Sequence, residues 1–144
     1  VDSWNRVIDV NLHASFHVGQ AAARIMSEAG GGVILFTSSI VSRGGCRGYV
    51  HYNASKAGIA SLVQTMAIEL ATYGIRVNCI SPGGFFRNQP PAFVQAFCKT
   101  IPMGRMGKDG KEMKGAVVFL ASDKASYITG NAIQIDGGKY PGLL

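Results

Sequence analysis

Apolar residues near the start of the chain recur at helical intervals. Trp4, Val7, Ile8, Leu12, Phe16 and Ile25 follow this rhythm and predict a helix over residues 3–28, with Asp2 or Ser3 as its cap. Gly30-Gly31-Gly32 ends it, because glycine enters left-handed backbone conformations that other residues avoid. Val33 to Thr37 is short, β-rich and apolar on both parities, the pattern of a strand buried on both faces. A loop with Gly44, Gly45 and Gly48 leads to a second helix over 50–73, stopped by Gly74. A second strand covers 75–80 and closes in Ser81-Pro82-Gly83-Gly84. Residues 85–109 read mostly as loop, with a break at Pro90-Pro91 and a short helix from Ala92 to Cys98. A third main helix is predicted over 111–122 and a last strand over 132–136, ended by Gly137-Gly138.

Helix and strand therefore alternate, which implies a three-stranded parallel sheet with right-handed crossovers. No shift in composition divides the chain, so residues 1–144 are expected to form one domain. The first strand is expected to be an exposed edge unless something pairs with it.

Composition narrows the class. Hydrophobic residues make up 47% and charged residues 15%, which excludes a disordered chain. The net charge of +6 comes from scattered Lys and Arg, densest between Arg105 and Lys114. No basic run with interleaved aromatics accompanies it, so a solvated surface is expected and nucleic acid is not. No apolar run approaches the ~20 residues needed to cross a bilayer, so no membrane partner is expected. Cys46, Cys79 and Cys98 form no C-x-x-C pair, and no signal peptide is evident. Reduced thiols and a cytoplasmic location are the expectation.

The candidate chemistry lies in Tyr52-Asn53-Ala54-Ser55-Lys56. Residues four apart on a helix share a face. An ammonium beside a phenol favours the phenolate, which can take or give a proton at a substrate oxygen. Ser39 closes a strand, where parallel sheets place functional groups, and its hydroxyl can orient a carbonyl or alcohol. His13 and His17 stand four apart on a helix but lack an obvious third ligand, so packing or surface roles are expected and no metal site is. His51 reads as incidental, Met103 and Met106 as loop packing, and Asp123 as a cap or turn residue.

Ser39 lies thirteen residues before Tyr52. With Lys56, with Asn11 in the preceding helix, with Pro82-Gly83 after the second strand and with Asp136-Gly137-Gly138 after the last, the set resembles the short-chain dehydrogenase/reductase family in order and spacing. The resemblance covers essentially the whole chain. It implies a truncated Rossmann-like, doubly wound α/β fold, of which residues 1–144 are the carboxy-terminal part. It implies hydride transfer between NAD or NADP and an alcohol or carbonyl. Tyr52 would be the general acid/base and Ser39 would hold the substrate oxygen. Lys56 would activate Tyr52 and bond the nicotinamide ribose. Asn11 would hold a water of the proton relay, and Pro82 and Gly83 would line the nicotinamide pocket.

Two departures from the family pattern stand out. Nothing matches its G-x-x-x-G-x-G turn before a helix, where the pyrophosphate would sit, or its Asn-Asn-Ala-Gly segment. Binding of the dinucleotide by this chain alone is accordingly doubtful. After the Pro-Gly turn the family often carries a Thr; that place falls on Arg87, a candidate for holding an anionic substrate or phosphate. The stretch Gly83 to Pro90 resembles bacterial members whose expected substrates are sugars or sugar derivatives. The alternative is a catalytically inactive relative that serves as a structural or assembly module. In either case helices 3–28 and 50–73, or the exposed first strand, would build a homo-oligomer.

Overall fold

A computed structural model describes residues 2–108 and 110–140. Its centre is a parallel sheet of β1 (Gly32–Thr37), β2 (Ile75–Pro82) and β5 (Ala132–Ile135), in the order β1-β2-β5. β1 pairs with β2 from Gly32 opposite Ile75 to Thr37 opposite Ile80. β2 pairs with β5 from Cys79 opposite Ala132 to Pro82 opposite Ile135. β2 is the middle strand, which is why most of its residues are buried. The expected α/β architecture is thus observed, and β1 has no partner strand on its outer edge among the described residues.

The first predicted helix is not one uniform helix. It consists of α1 (Asp2–Ile8), a π turn (Asp9–His13) and α2 (Ala14–Glu28). The π turn accompanies two contacts to the next helix, α3 (Val50–Leu70). Asn11 Nδ2 donates to Ser55 Oγ at 3.1 Å. Leu12 lies so close to Gly58 that a Cβ there would approach its methyl to 2.8 Å. A π turn changes the helical phase and is a common device at functional sites. The second helix also ends early, at Leu70, and passes through a 3-10 turn (Ala71–Tyr73) to Gly74, whose φ of 69° needs glycine.

α2 and α3 cover one face of the sheet. Ala23, Ile59, Val63, Met66 and Ala67 pack there against Ile34, Phe36, Ile75, Val77 and Cys79. α4 (Pro91–Cys98) is the short helix expected after the Pro pair. α5 (Lys114–Ala121) starts three residues later than predicted, since Glu112 is engaged in the loop instead. A feature that periodicity missed is a two-residue parallel ladder between β3 (Phe85–Phe86) and β4 (Gly107–Lys108).

Arg76 fastens α5 to the sheet. Its Nη1 donates to Leu120 O at 2.9 Å and to Ile128 O at 3.4 Å, and its Nη2 donates to Ser122 O at 3.1 Å. Leu120 O and Ser122 O lie at the end of α5, where a helix leaves carbonyls without intrahelical partners, and Ile128 O also accepts from Asn78 Nδ2 at 2.8 Å. Arg76→Met keeps an unbranched apolar stem but removes every side-chain donor. We expect it to cost about 3 kcal/mol, read as a lower urea midpoint at unchanged slope.

Candidate active site

Ser39 stands two residues beyond the end of β1 and caps a 3-10 turn (Ile40–Ser42). Its Oγ accepts from Val41 N at 3.4 Å, and its carbonyl accepts from Ser42 N at 3.0 Å. Ser38 ties this corner to the sheet and to α3: its N–H donates to Ile80 O at 2.8 Å and its Oγ to Lys56 O at 2.9 Å. Ser39 therefore enters the site from a fixed backbone.

Tyr52 and Lys56 occupy successive turns of α3, with the Lys56 ammonium 5.7 Å from the centre of the Tyr52 ring. Lys56 Nζ donates to Thr37 O at 2.9 Å. Partial burial pushes the Lys56 amine below its ordinary value, and the Cys79 thiol beneath it opposes that shift. Cys79 is fully buried, and burial pushes its thiol up. Asn11 stands at the back of this pair. Its bond to Ser55 continues in a bond from Ser55 Oγ to Tyr52 O at 2.8 Å, so the π turn is linked to the backbone of Tyr52.

One cleft of about 540 Å³ is lined by Ser39, Tyr52, Lys56, Pro82, Gly83 and Arg87, with Phe85, Gln89 and Met113 completing its walls. Six of the seven expected residues thus meet in one space. Asn11 does not line it; it borders a neighbouring groove together with Lys56. Arg87 is exposed at the rim. Its backbone N–H donates to Gln89 Oε1 at 2.6 Å, and Gln89 Nε2 donates to Phe85 O at 2.9 Å. Phe85 and Gln89 were read only as part of the stretch Gly83 to Pro90, and Met113 only as a residue of the predicted helix 111–122.

Gly83 has a structural reason to be glycine. A Cβ there would come within 2.9 Å of the Asp136 backbone at the end of β5. Asp136 is fixed in turn, its carboxylate accepting from Gly138 N and Tyr140 N at 2.9 and 2.8 Å. His13, expected at a surface, is exposed and bonds Asp9 at 2.8 Å. No group of metal-binding side chains occurs among the described residues. The three cysteines are free thiols. No described helix is long and apolar enough to cross a membrane.

A family model described as enoyl-(acyl carrier protein) reductase matches residues 1–139. The chain belongs to the short-chain dehydrogenase/reductase family. A 3alpha-hydroxysteroid dehydrogenase of Mediterraneibacter gnavus is 41% identical over 140 residues, covering 94% of this chain and 56% of that protein. A short-chain dehydrogenase from Leptospira borgpetersenii, solved with bound NAD+, superposes with a TM-score of 0.91 at 39% identity, over 96% of this chain and 57% of that one. A gluconate 5-dehydrogenase from Burkholderia cenocepacia, solved with NADP and tartrate, gives 0.92 at 34% identity, over 97% and 57%. The chain therefore spans a little over half the length of these short-chain dehydrogenase/reductase relatives, and its fold is their Rossmann type.

Proposed function

We propose that residues 1–144 form the carboxy-terminal, proton-handling part of an NAD- or NADP-dependent oxidoreductase acting on an alcohol or carbonyl. The observation that carries this reading is the single cleft in which Ser39, Tyr52 and Lys56 meet at the carboxyl ends of parallel strands. In that cleft the Tyr52 hydroxyl gives a proton to the substrate oxygen during reduction and takes it during oxidation. Ser39 donates to the same oxygen and fixes its direction. Lys56 keeps positive charge beside the phenol, and Asn11 steadies the turn of α3 that carries both.

The donor set fits a nicotinamide riboside. Lys56 supplies an ammonium for ribose hydroxyls, and Ile80 and Pro82 offer an apolar wall for a flat ring. When bound, the nicotinamide supplies or accepts the hydride. The likeness to a gluconate 5-dehydrogenase, and Arg87 at the rim, support a sugar or sugar-derived substrate, including an acidic one. The protein acts in the cytoplasm as a homo-oligomer in this reading.

A second reading is favoured by one observation. The outer edge of β1 is unpaired among the described residues and opens on a groove of about 410 Å³ lined by Val10, Ala14, Val18, Ile34 and Phe36. An apolar groove beside a free edge suits assembly. Calorimetric titration of the 144-residue chain with NADH and NADPH separates the two. Weak binding is expected, because the pyrophosphate-holding turn is not in this sequence. Absence of binding by both at millimolar concentration would remove the reading of this chain as an enzyme on its own and leave the assembly role.

A further inference from the structure

Phe85 separates two cavities. One is the catalytic cleft. The other, of about 240 Å³, lies on its far side and is lined by Gly84, Met103, Arg105, Glu112 and Asp136 together with Phe85 itself. Phe85 is 8% exposed, and its seat has no slack: a Cβ on Gly107 would approach its ring to 2.6 Å. Backbone pairing holds the seat, with Phe85 opposite Gly107, Phe86 opposite Lys108, and Gly107 N donating to Gly84 O at 2.9 Å.

A ladder of two residues is too short to persist unaided. The group that closes it is Glu112. Its carboxylate accepts from Arg105 Nη1 at 2.9 Å, from Arg105 Nη2 at 2.7 Å and from Lys108 N at 2.7 Å. Arg105 Nη1 also donates to Met106 O at 3.1 Å. The Arg105 guanidinium and the Lys108 amide hold the Glu112 carboxyl at about 2, well below the carboxylate range. Glu112 is followed directly by Met113, which lines the catalytic cleft.

We propose that Glu112 is a positioning residue whose carboxylate latches Arg105 to Lys108 and so fixes Phe85 and Met113 as walls of the catalytic cleft. Both side chains reach solvent, at 44% and 34% exposure, so the pair adds little to global stability. Its effect is local: it decides whether the loop between β3 and α5 stays closed over the cleft. The meaning of the cleft rests on the dehydrogenase reading, but the latch can be tested without cofactor or substrate.

The experiment uses the 144-residue chain with Glu112→Gln, Glu112→Asp, Arg105→Met and the Arg105→Met/Glu112→Gln pair. Amide exchange at Gly107 and Lys108 is expected to rise about tenfold in Glu112→Gln, with α3 and β2 unchanged. Glu112→Asp should restore part of the protection, and the double variant should be no worse than either single one. Lys56 should also be labelled faster by pyridoxal phosphate and borohydride once the wall loosens. In the wild type, protection corrected for intrinsic exchange should stay level from pH 7 to about pH 4, because a latched carboxylate remains ionised there.

Unchanged exchange at Gly107 and Lys108 in Glu112→Gln would overturn the proposal. Additive single effects would do so too, as would loosening spread over the whole chain. Faster exchange with unaltered Lys56 labelling would show a latch that does not set the cleft, which also defeats it. None of these results bears on nicotinamide binding, so failure of the latch and failure of the dehydrogenase reading are separable.

Discussion

Tyr52→Phe is expected to lower turnover by roughly 10²- to 10⁴-fold, the usual worth of a positioned acid/base group. The substitution removes one oxygen and keeps the ring that lies beside Lys56. Its backbone anchors, the Ser55 bond to Tyr52 O and the His51 Nδ1 contact to Tyr52 N at 2.9 Å, do not involve the hydroxyl. Folding should therefore survive, and KM should change far less than kcat. The measurement is alcohol-dependent reduction of NAD or NADP by the protein supplied with an amino-terminal half. Retention of full activity would show that another group moves the proton.

Gly83→Ala is expected to destabilise by about 1–3 kcal/mol, the range for overpacking a tight contact. The added methyl would meet the Cα of Asp136, not a flexible side-chain tip. Retreat is blocked on both sides. Gly83 N donates to Ile135 O at 3.0 Å, and the Asp136 carboxylate holds two amides. Gly45→Ala is the matched control: it lies in open space at an ordinary φ and should shift stability by less than about 0.5 kcal/mol. Equal urea midpoints for the two variants would refute the packing argument. A glycine that lines a proposed cofactor pocket thus has an independent reason to be there.

The three main strands were legible because burial leaves a plain mark. Val33 to Phe36 is apolar on both parities, while Ile75, Val77 and Cys79 give the second strand one fully apolar face. The convergence of Ser39, Tyr52, Lys56, Pro82 and Gly83 was legible through the resemblance to the short-chain dehydrogenase/reductase family, and parallel strands bring Ser39 and Pro82-Gly83 to one side. The π turn left no mark. Asp9 to His13 keep an ordinary helical rhythm, and the change of phase accompanies Leu12 meeting Gly58 and Asn11 meeting Ser55, contacts across more than forty residues. The β3–β4 ladder was hidden for a related reason. Two residues carry no period, and the pairing is closed by a carboxylate that the helical pattern had assigned to α5.

The bonds that set Tyr52 and Lys56 run from Asn11 through Ser55 to Tyr52, and from Ser38 and Thr37 to Lys56. All of them lie upstream of β2, and none needs a bound dinucleotide to form. On the proposed function, proton transfer and hydride carriage would thus be separable inheritances in this architecture. In the proposed dehydrogenase, a change of preference between NAD and NADP through substitutions elsewhere would leave the phenol and its ammonium where they are.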